Sequence, residues 1–186
     1  MKILIIGAGG TIGKLLVAHL SEKHEVISAG RKSGDVRVDI SSAASIENMF
    51  RQSENIDACI CVAGESYAGE LLSLTQAQLN AGITNKLLGQ INLVRIGQHY
   101  LNDEGSFTLT SGKMGDKPAK HTAGKAFVNG GINSFVKAAA MEMERDIRVN
   151  AVSPAKVTDI AVTELVAAYL KSVEDPLNGE IIKIGY

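Results

Sequence analysis

The stretch Lys2-Ile3-Leu4-Ile5-Ile6-Gly7-Ala8-Gly9-Gly10-Thr11-Ile12-Gly13-Lys14-Leu15-Leu16 decides the fold. Ile3–Ile6 is a short apolar run of the buried-strand type, and Ile12 to Leu20 carries the apolar spacing of an amphipathic helix. The glycines between them remove the Cβ atoms that would block a tight turn. A dinucleotide pyrophosphate fits such a strand–helix junction. There it meets free backbone N–H groups and the positive end of the helix dipole. Gly7, Gly9, Gly10, Thr11, Ile12 and Gly13 are therefore the candidate phosphate cradle, although a glycine cluster alone is also compatible with an ordinary tight turn.

The next strand, from Glu25, leads into Ser28-Ala29-Gly30-Arg31-Lys32-Ser33. A carboxylate at the end of this strand would bind the ribose hydroxyls of NAD. None stands there. Arg31 and Lys32 can instead pair with a 2′-phosphate and Ser33 can donate to it, so NADP is expected over NAD. A solvated basic turn would look the same in sequence.

Further along, β-branched runs alternate with longer helical patterns. Strands are predicted at Glu25–Ser28, Val36–Asp39, Ala58–Val62, Ser106–Thr110, Ile147–Val152 and Glu180–Ile184. Helices are predicted from Ser42 or Ala43 to Arg51 and at Thr75–Leu101, His121–Met143 and Val162–Leu170, the second opened by a Thr75-Gln-Ala-Gln78 capping box. With no linker between them, residues 1–186 read as a single α/β domain, a Rossmann-like doubly wound parallel sheet in a three-layer α/β/α arrangement.

The chain has 186 residues, 45% of them hydrophobic and 21% charged, with a formal charge of −1. This balance gives no basic footprint for nucleic acid and no patch or span for a membrane. Cys59 and Cys61 are the only cysteines, which excludes a disulfide framework and suits a reducing, cytoplasmic compartment. Two apart on a strand, they read as small buried hydrophobes, and no residue cluster has metal-ligand spacing. His19, His24 and His99 are scattered on predicted helix surfaces or ends.

Assembled in this order, the motifs resemble those of the short-chain dehydrogenase/reductase family along nearly the whole chain. The glycine loop is similar to that family's, with Thr11 in place of the middle glycine. Cys61-Val62-Ala63-Gly64 resembles its Asn-Asn-Ala-Gly segment, and Asn150-Ala-Val-Ser-Pro154-Ala155 with Val157-Thr158 resembles its nicotinamide-binding stretch. Asn178-Gly179-Glu180 fits the family's C-terminal end. The resemblance implies that Asp39 contacts the adenine ring, and that Ala63, Gly64, Pro154, Val157 and Thr158 also bind cofactor.

Family members use Asn, Ser, Tyr and Lys for catalysis. Here Ser111 matches the serine and Lys125 the lysine, which would also hold the nicotinamide ribose. His121 stands where the tyrosine of Tyr-x-x-x-Lys belongs, as a general acid or simply as the opening of a helix. Lys86 falls at the asparagine position, with Asn85 one residue early. Many members insert a mobile lid where Thr158-Asp159 here runs almost directly into the next helical pattern.

Two functions follow. One is NADP-dependent hydride transfer between nicotinamide and a small carbonyl or alcohol. The other is a sensor or partner protein that keeps the cofactor cradle without turnover. A homodimer or homotetramer is expected in either case, through the helices carrying Gly130, Gly131 and Ala138–Ala140.

Overall fold

The computed structural model describes all residues, Met1–Tyr186. Alternation within the first strand sets out the layers. In β1 (Lys2–Ile6), Leu4 and Ile6 point into a core of 23 buried residues on one sheet face, while Ile3 and Ile5 point into a core of 15 on the other. Burial on both faces requires helices on both sides of the sheet.

The helices comply. α1 (Thr11–Leu20) and α6 (Val162–Glu174) contribute Leu16, Leu20, Leu165 and Tyr169 to the smaller core. α2 (Ala43–Arg51), α4 (Gly89–Gly97) and α5 (Ala123–Ala139) contribute Ile46, Phe50, Leu93, Val128 and Ile132 to the larger one.

The remaining strands are β2 (Glu25–Gly30), β3 (Val36–Arg37), β4 (Ile56–Cys61), β5 (Leu101–Thr110), β6 (Arg148–Pro154) and β7 (Ile181–Ile184). They form one seven-stranded sheet in the order β3-β2-β1-β4-β5-β6-β7, parallel at every pairing. The winding reverses between β1 and β4, and a crevice opens there beyond the C-terminal strand ends. Three-layer Rossmann-like architecture is thus the observed fold.

Thr75 caps α3 (Gln76–Gly82) as the sequence predicts: its Oγ1 accepts from Gln78 N–H at 3.2 Å, and Gln78 Oε1 accepts from Thr75 N–H at 3.0 Å. The expected uninterrupted helix to Leu101 is corrected in two respects. A π-helical stretch, Ile83–Leu88, joins α3 to α4, and α4 ends at Gly97. Leu101 is buried as the first residue of β5; its place one heptad after Val94 imitates a continuing helical stripe. His121 and Thr122 precede α5 rather than opening it, and α5 stops at Ala139. No helix is long and apolar enough to cross a membrane.

Gln90 ties this framework to the sheet ends. Its Nε2 donates to Ala63 O at 3.2 Å and Thr110 O at 3.1 Å, while its Oε1 accepts from Thr110 N–H at 2.9 Å. One fully buried amide therefore fixes the exits of both β4 and β5.

At the end of α4, a Cβ on Gly97 would overlap the rings of Phe50 and Phe107. Gly97→Ala is expected to destabilise the protein by about 1–3 kcal/mol through overpacking. Urea denaturation measures this, and an unchanged midpoint would contradict the close approach.

Candidate functional site

The loop after β1 is shaped by contacts that exclude side chains. Gly7 has φ +88°, and a Cβ on it would come within 2.8 Å of Ala63 N. A Cβ on Gly13 would collide with the carbonyl of Gly7, so α1 rests directly on the turn. The first helical bond runs from Lys14 N–H to Gly10 O at 3.0 Å. The N–H groups of Thr11, Ile12 and Gly13 precede it, and Gly10 provides no side-chain cap. These residues fit a pyrophosphate: free donors, a helix N-terminus and no Cβ in the way.

Beside the loop lies a pocket of about 190 Å³, lined by Gly7, Arg31, Asp39, Ile40, Ala63 and Asn85 among others. Two aspartates of the β2–β3 region accept hydrogen bonds from serines, while the Glu65 carboxylate lines the pocket itself. Asp35 accepts from Ser28 Oγ at 2.7 Å and Ser28 N–H at 2.9 Å, bonds that hold its carboxyl below the ordinary value. Asp39 is likewise lowered by Ser41, whose Oγ and N–H donate to it at 2.7 and 3.0 Å. Arg31 is exposed at the pocket and makes no ion pair within 4 Å. Ser33 lies on the far side of the loop, with Gly9 and Lys14, while Lys32 is exposed and lines neither cavity.

The pocket continues, through Gly64 and Glu65, into a larger cleft of about 600 Å³. Ile12, Ser111, Lys125, Lys86, Pro154 and Val157 meet around this cleft. Ser111 follows β5, its N–H bonded to Val152 O at 3.0 Å, and its buried Oγ has no partner in the protein. Thr110 just before it is anchored by Oγ1, which bonds Cys61 O at 2.7 Å and Tyr169 OH at 2.8 Å.

Lys86 sits in the π-helical stretch, only 8% exposed. Its Nζ donates to Ser111 O at 3.0 Å and Asn129 Oδ1 at 2.9 Å, joining β5 to α5 across the cleft floor. Burial, reinforced by the neighbouring Lys125 charge, pulls its ammonium down to about 8. Asn85 faces the smaller pocket, so the two adjacent residues serve different cavities.

Two further sequence candidates, His121 and Thr158, lie outside both cavities. His121 is exposed with φ +64° and does not line the cleft. Thr158 is exposed and donates to Asp159 Oδ1 at 2.9 Å, and Thr11 is exposed at the loop. Beyond Val157–Asp159, a single 3₁₀ turn, the chain enters α6 almost at once, as the short spacing predicts. Cys59 and Cys61 are free and buried, with burial raising both thiols, Cys61 to about 12.

The structure adds Tyr67, Glu65, Lys113 and Asn129 to the cleft wall. Asn129 was findable, four residues beyond Lys125 on the same helix face. The others are in loops, where no periodicity marks them.

Comparison with known proteins agrees with this geometry. A family model described as enoyl-(acyl carrier protein) reductase matches residues 13–175. The protein lin1944 from Listeria innocua is 41% identical, with 99% of each chain covered and a TM-score of 0.94. A small-chain dehydrogenase is 30% identical over 99% of this chain and 96% of its own, TM-score 0.88. Another small-chain dehydrogenase, solved in complex with NADPH, is 27% identical over the same shares, TM-score 0.89. No curated protein sequence matches significantly. Sequence match, sheet order and the loop-and-cleft geometry converge, and the chain belongs to the short-chain dehydrogenase/reductase family of oxidoreductases.

Proposed function

We propose that this protein is an NADP-dependent oxidoreductase acting on a small carbonyl or alcohol. The observation that carries the reading is continuity: the glycine cradle, the Arg31 pocket and the Ser111–Lys125 cleft form one track along the strand ends. The NADPH complex of a 27% identical relative supports the choice of cofactor. So does Arg31 itself, exposed at the pocket and without an ion pair.

The bound nicotinamide would supply or accept the hydride. Thr11, Ile12 and Gly13 would hold the pyrophosphate through their N–H groups, and Arg31 the 2′-phosphate. Asp39 and Ile40 would line the adenine site. Lys125 would fix the nicotinamide ribose, with Ala63, Gly64, Pro154 and Val157 walling the ring. Ser111, whose Oγ is free, would donate to the substrate oxygen and stabilise its developing charge. Lys86 positions Ser111 through its backbone carbonyl rather than through the hydroxyl.

The free Ser111 hydroxyl and the Lys125 ammonium in one cleft favour turnover over a sensor that only binds. Oxidation of NADPH by aldehydes, diketones and quinones tests this. Ser111→Ala is expected to lower kcat by about 10²–10³ while NADPH affinity holds. Full activity in that variant would remove the serine from the reaction.

Arg31→Ala is expected to weaken NADPH binding by about 10- to 100-fold, the worth of a charge-assisted contact, and leave NADH binding unchanged. Fluorescence titration reads both, and equal losses for the two cofactors would contradict a 2′-phosphate site.

Lys86 makes stability depend on pH. Its folded value of about 8 lies below the unfolded value of ~10.4, so between them the unfolded chain binds more protons and stability rises with pH. Lys86→Met should lose that rise in urea titrations run across the window. An identical slope in both proteins would show that burial does not perturb this lysine.

A further inference from the structure

We propose that Tyr67, in the loop between β4 and α3, is the proton donor of the reaction. The assignment rests on the oxidoreductase reading above. It starts from a vacancy in the chemistry: carbonyl reduction needs a proton at the oxygen, and the exposed His121 ring does not line the cleft.

The chain has four tyrosines. Tyr100 bonds Arg51 and Glu47, Tyr169 is fully buried against Thr110, and Tyr186 bonds Ser153 at 2.7 Å. Tyr67 alone lines the cleft, half-buried, with its hydroxyl uncommitted to any protein group. Lys86 and Glu65 in the same cleft are poorly suited. Two of the three Lys86 protons are held by Ser111 O and Asn129 Oδ1, and Glu65 is a carboxylate that accepts rather than donates. Ser111 serves to polarise the oxygen.

The loop is also held against α5. Gly69 N–H donates to His121 O at 2.8 Å, and a Cβ on Gly124 would come within 2.6 Å of Tyr67 O. Only a residue without a side chain at position 124 lets the Tyr67 backbone lie so close to the start of the helix. His121 thus contributes its backbone: the positive φ belongs to a turn whose carbonyl clamps the tyrosine loop, while its exposed side chain is not among those lining the cleft.

In the reducing direction, Tyr67 releases its phenol proton to the substrate oxygen as hydride reaches the carbonyl carbon. The C=O π pair becomes the new O–H bond, and the hydride pair becomes the new C–H bond. The phenolate left behind shares the cleft with the Lys125 ammonium and regains its proton from solvent. Oxidation of an alcohol reverses each transfer.

The test compares wild type, Tyr67→Phe and His121→Asn. Each is titrated with NADPH by fluorescence and assayed against aldehydes, diketones and quinones across pH. Phenylalanine keeps the ring packing, and asparagine tolerates the positive φ at 121. Tyr67→Phe is expected to bind NADPH as wild type does, to lose about 10²–10⁴ in kcat/KM, and to lose the pH limb of the proton donor. His121→Asn is expected to keep turnover and pH profile. Activity retained in Tyr67→Phe, or lost only in His121→Asn, would overturn the assignment and leave the oxidoreductase reading standing. NADPH binding without turnover by wild type would overturn that reading, and the tyrosine with it.

Discussion

The approach of Gly7 to Ala63 is the contact on which the site depends. With a Cβ only 2.8 Å from the Ala63 nitrogen, no other residue at position 7 would let the exits of β1 and β4 meet. Because they meet, the helix that follows β1 delivers its free N–H groups at the crevice. The segment that follows β4 delivers Gly64, Glu65 and Tyr67 to the same opening. Gly13 carries the constraint into α1, which must touch the turn rather than stand off from it. The parallel sheet supplies the crevice, and the missing side chains bring its walls within reach of a single ligand.

Against this tight frame, the cleft floor bears a cost. Lys86 is an ammonium in a buried position, and its two hydrogen bonds offset the loss of water without restoring an ordinary affinity for the proton. In return, the π-helical stretch, β5 and α5 are joined at one nitrogen. π-helical turns recur at functional sites because they re-aim side chains that a regular helix would direct elsewhere. Here the two neighbours in that turn, Asn85 and Lys86, face the two successive cavities of the proposed track.

Much of this was legible in the sequence where periodicity or glycine chemistry carried the signal. The β1–loop–α1 unit, the Thr75 cap and the parallel α/β order follow from local pattern, and Ser111, Lys125 and Lys86 do meet across one cleft. Four features were not legible. Leu101 keeps helical spacing with Val94 although the chain has already turned into a strand, since apolar period does not record a helix end. The π insertion leaves no compositional mark. His121 matches a motif by position, yet it stands before α5 at a left-handed φ that motif spacing cannot express. Tyr67 lies in a loop whose conformation is set by Gly69 and Gly124, contacts between residues more than fifty apart in sequence.

The central claim is that one dinucleotide occupies both cavities along the strand ends. Hydrogen–deuterium exchange with and without NADPH tests it most directly. The account predicts slowed exchange at Gly9–Lys14, at Arg31–Gly34 and at Ser111–Lys113 and Ala155–Val157 together, all at the same NADPH concentration. Protection confined to one of these segments, or absent from all, would contradict a single ligand spanning the cradle and the cleft.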